Sequence, residues 1–367
     1  MELPPFLLDH WLAAHEFSEP PIRYNLASST GPRWTLEDME KLPIGRLDIA
    51  RTALGYAPPD GAHDLRQAIA EHHAVDPDWV VVTTGASEAL SALLCLASEP
   101  DANIVLPTPS FPAFAALAGA WRLGVRTYAL RRETGFRQSA DDVQGATDDD
   151  TVLALVNTPH NPTGAVIERS EVERLAEGLG ARGITLIVDE VYHPLYFGGD
   201  RRSAAGLDNV IVVGDMSKAM SLAGVRVGWV IDANPERRKR IIDARSYFTI
   251  SSSPLSEAIA AYALRNRASI LARLTEVASA NLALLRAAIG KAGNTLSWVP
   301  PAGGTTCFPW FTDGRDSRTF CERLVRDGVL VVPGDCFGEP DHMRIGYGAQ
   351  MEGFPAAVEI LARALVE

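Results

Sequence analysis

At 367 residues, with 34 Lys plus Arg against 46 Asp plus Glu, the chain carries a formal net charge of −12 at pH 7. That sign opposes broad electrostatic attachment to nucleic acid, and the run ERRKR at 236–240 is too short to reverse it; it reads as the solvated face of a helix. A hydrophobic content of 47% with 22% charged residues excludes a disordered chain and predicts a globular protein of about two domains.

The N-terminal MELPPFLLDHWL has acids and prolines where a signal peptide needs a basic start and a clean apolar run, so it predicts an amphipathic arm. From about residue 79 to 231, short apolar runs alternate with helical patterns. WVVVTTG precedes SEALSALLCLA, NIVLPTP precedes a helix from Pro112, and TVLALVNTP precedes ERSEVERLAEGLGARG; ITLIVDEVY, NVIVVGDMSK and VRVGWVI follow. Strand, crossover and strand in repetition predict an α/β fold, a three-layer domain with a mainly parallel central sheet. After about residue 268 a long helical stretch (268–290) leads to LSWVPPAGGTTCFPWF, which reads as a strand pair around a glycine turn. A helix near 316–327, the strands VLVVPG and HMRIGYG, and a terminal helix complete a smaller α+β domain. The expected division is 40–267 for the large domain and 1–39 with 268–367 for the small one. No segment approaches the roughly 20 apolar residues of a membrane span. Cys95, Cys307, Cys321 and Cys336 show neither a CxxC spacing nor a disulfide framework, which fits a reducing, cytoplasmic setting.

In such sheets ligands bind beyond the carboxyl ends of the strands. The residues found there are Gly85-Ala86-Ser87, Phe111, Asn157 with Asn161, Asp189 with Tyr192, and Ser217-Lys218. Lys218 follows a buried strand, where an ammonium is expensive to desolvate; snorkelling to solvent is the ordinary outcome. A lysine held at such a rim becomes useful when its neutral amine attacks a carbonyl to form a Schiff base. Pyridoxal 5′-phosphate exploits that reaction. It needs a carboxylate at its pyridine nitrogen, a phosphate seat at a helix N-terminus with a cation, an aromatic face and hydrogen bonds to its phenolic oxygen. Asp189, the Gly85–Ser87 turn, Arg226, Phe111, and Asn161 with Tyr192 supply those parts in turn.

NTPHNPTG, VDEVY, SKAMSLAGVRVGW and MRIGYG, in this order and spacing, resemble the fold-type-I pyridoxal-phosphate enzymes of the aspartate aminotransferase superfamily, class I/II branch. The resemblance runs from about Tyr24 to the C-terminus. It implies that Lys218 forms the Schiff base and carries the proton, that Asp189 pairs with the pyridine nitrogen, and that Asn161 and Tyr192 contact the phenolic oxygen. Phe111 matches the stacking aromatic, and Ala86, Ser87 and Arg226 match phosphate contacts. Arg344 matches the arginine that grips the substrate α-carboxylate. Tyr56 matches a tyrosine that reaches the neighbouring subunit's phosphate, which implies a homodimer with shared sites. Asn157 reads as a turn residue, His193 as structural, and Ser217 as either phosphate contact or turn.

One position departs from the pattern. Asp215 stands where the family has a hydroxyl that helps hold the phosphate, as in a subgroup resembling capreomycidine synthase that cyclises an arginine derivative. A carboxylate beside a phosphate is repelled, so Asp215 is expected to turn away and accept hydrogen bonds from backbone N–H groups or from Arg226. The leading expectation is amino transfer between an L-amino acid and a 2-oxo acid. Elimination, replacement or cyclisation of an amino acid is the alternative, followed by a non-catalytic cofactor-binding module.

Overall fold

The computed structural model describes residues 6–16, 18–199, 202–349 and 352–366. Seven strands build the central sheet: β1 (Val80–Thr83), β2 (Asn103–Thr108), β3 (Gly124–Ala129), β4 (Thr151–Asn157), β5 (Thr185–Asp189), β6 (Val210–Asp215) and β7 (Gly228–Ile231). Their spatial order is β1-β7-β6-β5-β4-β2-β3. Pairing is parallel from β6 across to β3, and β7 runs antiparallel to both β1 and β6. β1, β6 and β7 are buried throughout and β4 and β5 nearly so, as unbroken Val/Ile/Leu runs require when helices cover both faces. The exception is β3, an edge strand with only Tyr128 buried. Its GVRTYA lacks the apolar run used above to find strands, so it is an addition to the predicted elements.

Reversal of β7 matters for the site. An antiparallel strand begins at the rim where its parallel neighbours end, so Gly228 pairs with both Thr83 and Asp215. A side chain on Gly228 would strike the Gly85 carbonyl carbon at 2.5 Å and the Ala86 nitrogen at 2.6 Å, so only a glycine lets the 85–86 turn settle there. That turn opens helix α1 (Ala86–Leu96), with Gly85 as N-cap at φ +79°.

Around the C-terminal part, the predicted VLVVPG strand divides in two. Val329–Leu330 pairs in parallel with Tyr24–Asn25, and Val332–Pro333 pairs with Met343–Arg344. Leu296–Ser297 pairs antiparallel with Trp310–Phe311, the expected strand pair around the glycine turn. The N-terminal helix Leu7–His15 buries Leu8 and Trp11, and Trp11 Nε1 donates to the Val331 carbonyl at 2.9 Å. Helix α2 (Pro235–Arg245) carries the ERRKR run, but its arginines are not all solvated: Arg237 grips Asp232 with a two-pronged contact at 2.7 and 2.8 Å. Among the described residues one helix, α3 (Arg267–Lys291), is long and apolar enough to cross a membrane by length and composition. Its buried residues Ile270, Leu274, Ala278, Asn281 and Leu285 recur at three- and four-residue spacing, and Asn281 Nδ2 donates to the Tyr347 carbonyl at 3.0 Å, so this stripe faces the protein core.

Candidate active site

A cavity of about 200 Å³ opens at the carboxyl end of the sheet. Its walls include Ala86, Ser87, Phe111, Asn161, Asp189, Tyr192, Ser217, Lys218 and Arg226, nearly all the residues singled out from sequence, together with Asn157 and Asp215. Gly85 stands just behind: a side chain there would meet Arg226 Nη2 at 2.5 Å, so the bare glycine leaves room for the guanidinium beside the helix start. The first N–H groups of a helix lack internal partners, so a cation beside the start of α1 makes a seat for an anion.

Asp189 is the last residue of β5 and is buried. Its Oδ1 accepts the Val191 N–H at 3.1 Å. Burial pushes its pKa up to about 7, against the pull of that N–H, while Asp215 raises it further and Lys218 lowers it. A carboxyl so placed is short of positive charge. Asn157 is no turn residue: it ends β4, its Nδ2 donates to the Asp189 carbonyl at 3.2 Å and its Oδ1 accepts the Asn161 N–H at 2.8 Å. It therefore brackets two site residues at once.

Asn161 also links the cavity to Arg344. Arg344 Nη1 donates to Asn161 Oδ1 at 3.1 Å and Nη2 donates to the Ala27 carbonyl at 2.9 Å. Arg344 is only 2% exposed, its Nε has no hydrogen-bond partner, and neither of those acceptors carries a charge. A guanidinium buried against neutral acceptors lacks its counter-ion, and a carboxylate fits that lack.

The 27–29 segment closes over the site, as expected of the pocket-wall stretch ASSTGPRW, and meets Thr305 of GGTTCF there. Lys218 Nζ donates to Ser29 Oγ at 2.9 Å, Thr305 Oγ1 donates to the Ser29 carbonyl at 2.8 Å, and Tyr192 Oη reaches that carbonyl at a long 3.4 Å. Asp215 does turn to the backbone, accepting the Ser217 N–H at 2.9 Å, while Arg226 Nη1 donates to the Ala223 carbonyl and makes no such bond. Burial raises the Asp215 pKa, with Lys218, Ser217 and Arg226 opposing. His193 stacks on His73 away from the cavity walls, ring centroids 5.2 Å apart, as a structural residue does. Tyr56 lies apart from all of these, 85% exposed, at a second cavity of about 560 Å³ that holds none of the strand-end residues.

Residues 24–365 match the family described as Aminotransferase class I and II. The chain belongs to that family. This aminotransferase is 33% identical to capreomycidine synthase of Streptomyces vinaceus, over 94% of this chain and 90% of the other. It is 30% identical to an arginine–pyruvate transaminase of Pseudomonas aeruginosa, over 79% of this chain and 77% of the other. In three dimensions it resembles the PLP-dependent cyclase OrfR with a TM-score of 0.89 and 25% identity, covering 100% of this chain and 98% of that one. Pyridoxal 5′-phosphate is the cofactor of this aminotransferase family, and the residues present fit it. The charge-starved Asp189 suits a protonated ring nitrogen, the α1 start with Arg226 suits a phosphate, and Lys218 faces the same space.

Proposed function

We propose that this enzyme moves the amino group of an L-amino acid to a 2-oxo acid, with Lys218 as the covalent anchor and proton carrier. The observation that carries this reading is Asn161: one side chain lines the cavity that holds Lys218 and Asp189 and at the same time receives the buried Arg344. A substrate held by its carboxylate at Arg344 would present its Cα toward that cavity. Bound there, the cofactor supplies an electron sink for the charge left when the Cα proton departs. Asp189 keeps a proton at the ring nitrogen, Phe111 offers its face to the ring, and Asn161 and Tyr192 hold the phenolic oxygen. Ala86, Ser87, Ser217 and Arg226 hold the phosphate. Lys218 Nζ takes the Cα proton and later returns one, and Ser29 holds the amine in place between those events. The test is a panel of L-amino acids, L-arginine among them, with 2-oxoglutarate or pyruvate as acceptor. Formation of glutamate or alanine upholds transfer.

A second reading keeps the same proton removal but lets a β or γ group leave, ending in elimination, replacement or ring closure. Asp215 in the usual hydroxyl position, together with the likeness to capreomycidine synthase and to a cyclase, favours it. A product formed from the amino acid alone, with no acceptor consumed, would select it.

The working form we propose is a cytoplasmic homodimer in which each Tyr56 completes the partner's phosphate seat; exposed Tyr56, Leu54 and Tyr247 support an apolar contact face. Its four cysteines are free thiols, in keeping with a reducing compartment. The division into 40–267 and 1–39 with 268–367 is supported by the pairing of Tyr24–Asn25 with Val329–Leu330.

A further inference from the structure

One residue beyond Ser87, in the first turn of α1, stands a buried carboxylate. Glu88 Oε2 accepts the Thr84 N–H at 2.5 Å, and Oε1 accepts from Thr249 Oγ1 at 2.6 Å. Thr84 immediately precedes Gly85, whose φ of +79° lies in a region where glycine has wide freedom, so gripping Thr84 restrains the turn that aims the N–H groups of 85–87. The grip has an electrostatic drawback. A carboxylate in the first turn of a phosphate-receiving helix repels the phosphate.

Arg245 answers it. The last residue of α2, it is 0% exposed, and its Nε lies 3.5 Å from Glu88 Oε2. Its Nη2 donates to Ser252 Oγ at 3.1 Å, and its Nη1 donates to the Pro59 carbonyl, in the stretch that follows Tyr56. Replacing such a buried pair with apolar groups often leaves stability unchanged, so stability alone does not account for it. We propose that Arg245 is a positioning residue for the cofactor phosphate: it cancels the charge of Glu88, so that Glu88 can hold the 84–85 turn without repelling the anion that the turn receives. This rests on the cofactor site proposed above.

The test titrates apoprotein with pyridoxal 5′-phosphate, following the visible absorbance of the bound form, for wild type, Arg245→Met, Glu88→Gln and the double variant, with Lys218→Ala as control. Arg245→Met should raise the cofactor Kd about tenfold, within the usual range for coupled sites. Glu88→Gln keeps an oxygen for the Thr84 N–H and removes the repelling charge, so it should not weaken binding. The double variant should return to within about threefold of wild type, because removing both charges leaves this pair as neutral beside the turn as it is in the wild type. A purely structural role predicts that both single changes weaken binding and that the double is worst; that pattern, or an unchanged Kd in Arg245→Met, overturns the proposal. If Arg245→Met does not fold, Glu88→Gln and the double variant decide it: Glu88→Gln binding at least as tightly as wild type, with the double variant within about threefold of wild type, upholds the proposal, and a double variant about tenfold weaker than wild type overturns it. A wild type that binds no cofactor, or binds it identically after Lys218→Ala, overturns the site itself and the Arg245 role with it.

Discussion

Lys218 Nζ rests on Ser29 Oγ at 2.9 Å, so the amine at the end of a buried strand is met by a hydroxyl from a segment 189 residues away. The lysine is therefore held inside the site and does not snorkel to solvent. Lys218→Ala should fold, take up the cofactor without covalent attachment and lose turnover; near-native activity would refute the reading. Ser29→Ala should cost about 1 kcal/mol in kcat/KM, roughly fivefold, as one lost hydrogen bond does. Steady-state kinetics on both variants provide the check.

Asp189 and its neighbour Glu190 are both pushed up to about 7 by burial. A carboxyl whose folded pKa exceeds its unfolded value stabilises the fold fully below the unfolded pKa, and that stability is lost as pH rises through the folded pKa. These two carboxyls should thus contribute a loss of apoprotein stability from about pH 4 to about pH 7, opposed below about pH 6.5 by the buried His72, His160 and His193, whose pKa values burial lowers to about 4, 3 and 3. Asp189→Asn should flatten part of that slope, and a protonated ring nitrogen placed beside Asp189 should do the same in the loaded enzyme. Melting curves across this pH range, with and without cofactor, would show it; equal slopes in wild type and Asp189→Asn would count against the assignment.

Arg344 offers a planar fork, which lysine lacks. Arg344→Lys should raise the free energy of the transition state by about 2 kcal/mol, about 30-fold in kcat/KM, while cofactor absorbance stays intact. An unchanged KM would reduce Arg344 to a structural tie between Asn161 and Ala27.

Asp215 accepts from its own turn at Ser217, and burial raises its pKa. Its charge near the phosphate therefore grows as pH rises. Asp215→Ser should strengthen cofactor binding, by more at pH 8 than at pH 5, because protonation at low pH already removes part of the charge. A variant that binds more weakly at both pH values would show that Asp215 donates to the phosphate.

Tyr56 is exposed in the single chain and lines no part of the Lys218 cavity. Mixing Lys218→Ala with Tyr56→Phe subunits should restore activity above either parent, because one site in each hybrid then carries neither defect. A fully active monomer, measured by sedimentation with assay, would contradict shared sites.

What the sequence by itself determined is local. A buried strand is a run of apolar residues and its end is the first polar one, so Asn157 and Asp189 could be placed at one rim, with Lys218 in the loop beyond the next strand. The helix start at Gly85 was legible for the same reason. The edge strand β3 was not, since a strand with one exposed face needs no apolar run and announces itself weakly. Tertiary structure decided everything that depends on pairing between distant segments. Antiparallel β7 brings Arg226 back to the rim, Arg344 meets Asn161 across 183 residues, Ser29 closes over Lys218, and Arg245 reaches Glu88 from the far end of another helix. Asn157 was misread because its bracket between Asp189 and Asn161 exists only once β4 and β5 are in register. The physical reason is common to all of these: periodicity reports which face of a segment is buried, whereas the partner of a polar group is set by register and chain reversal, which no short stretch of residues encodes.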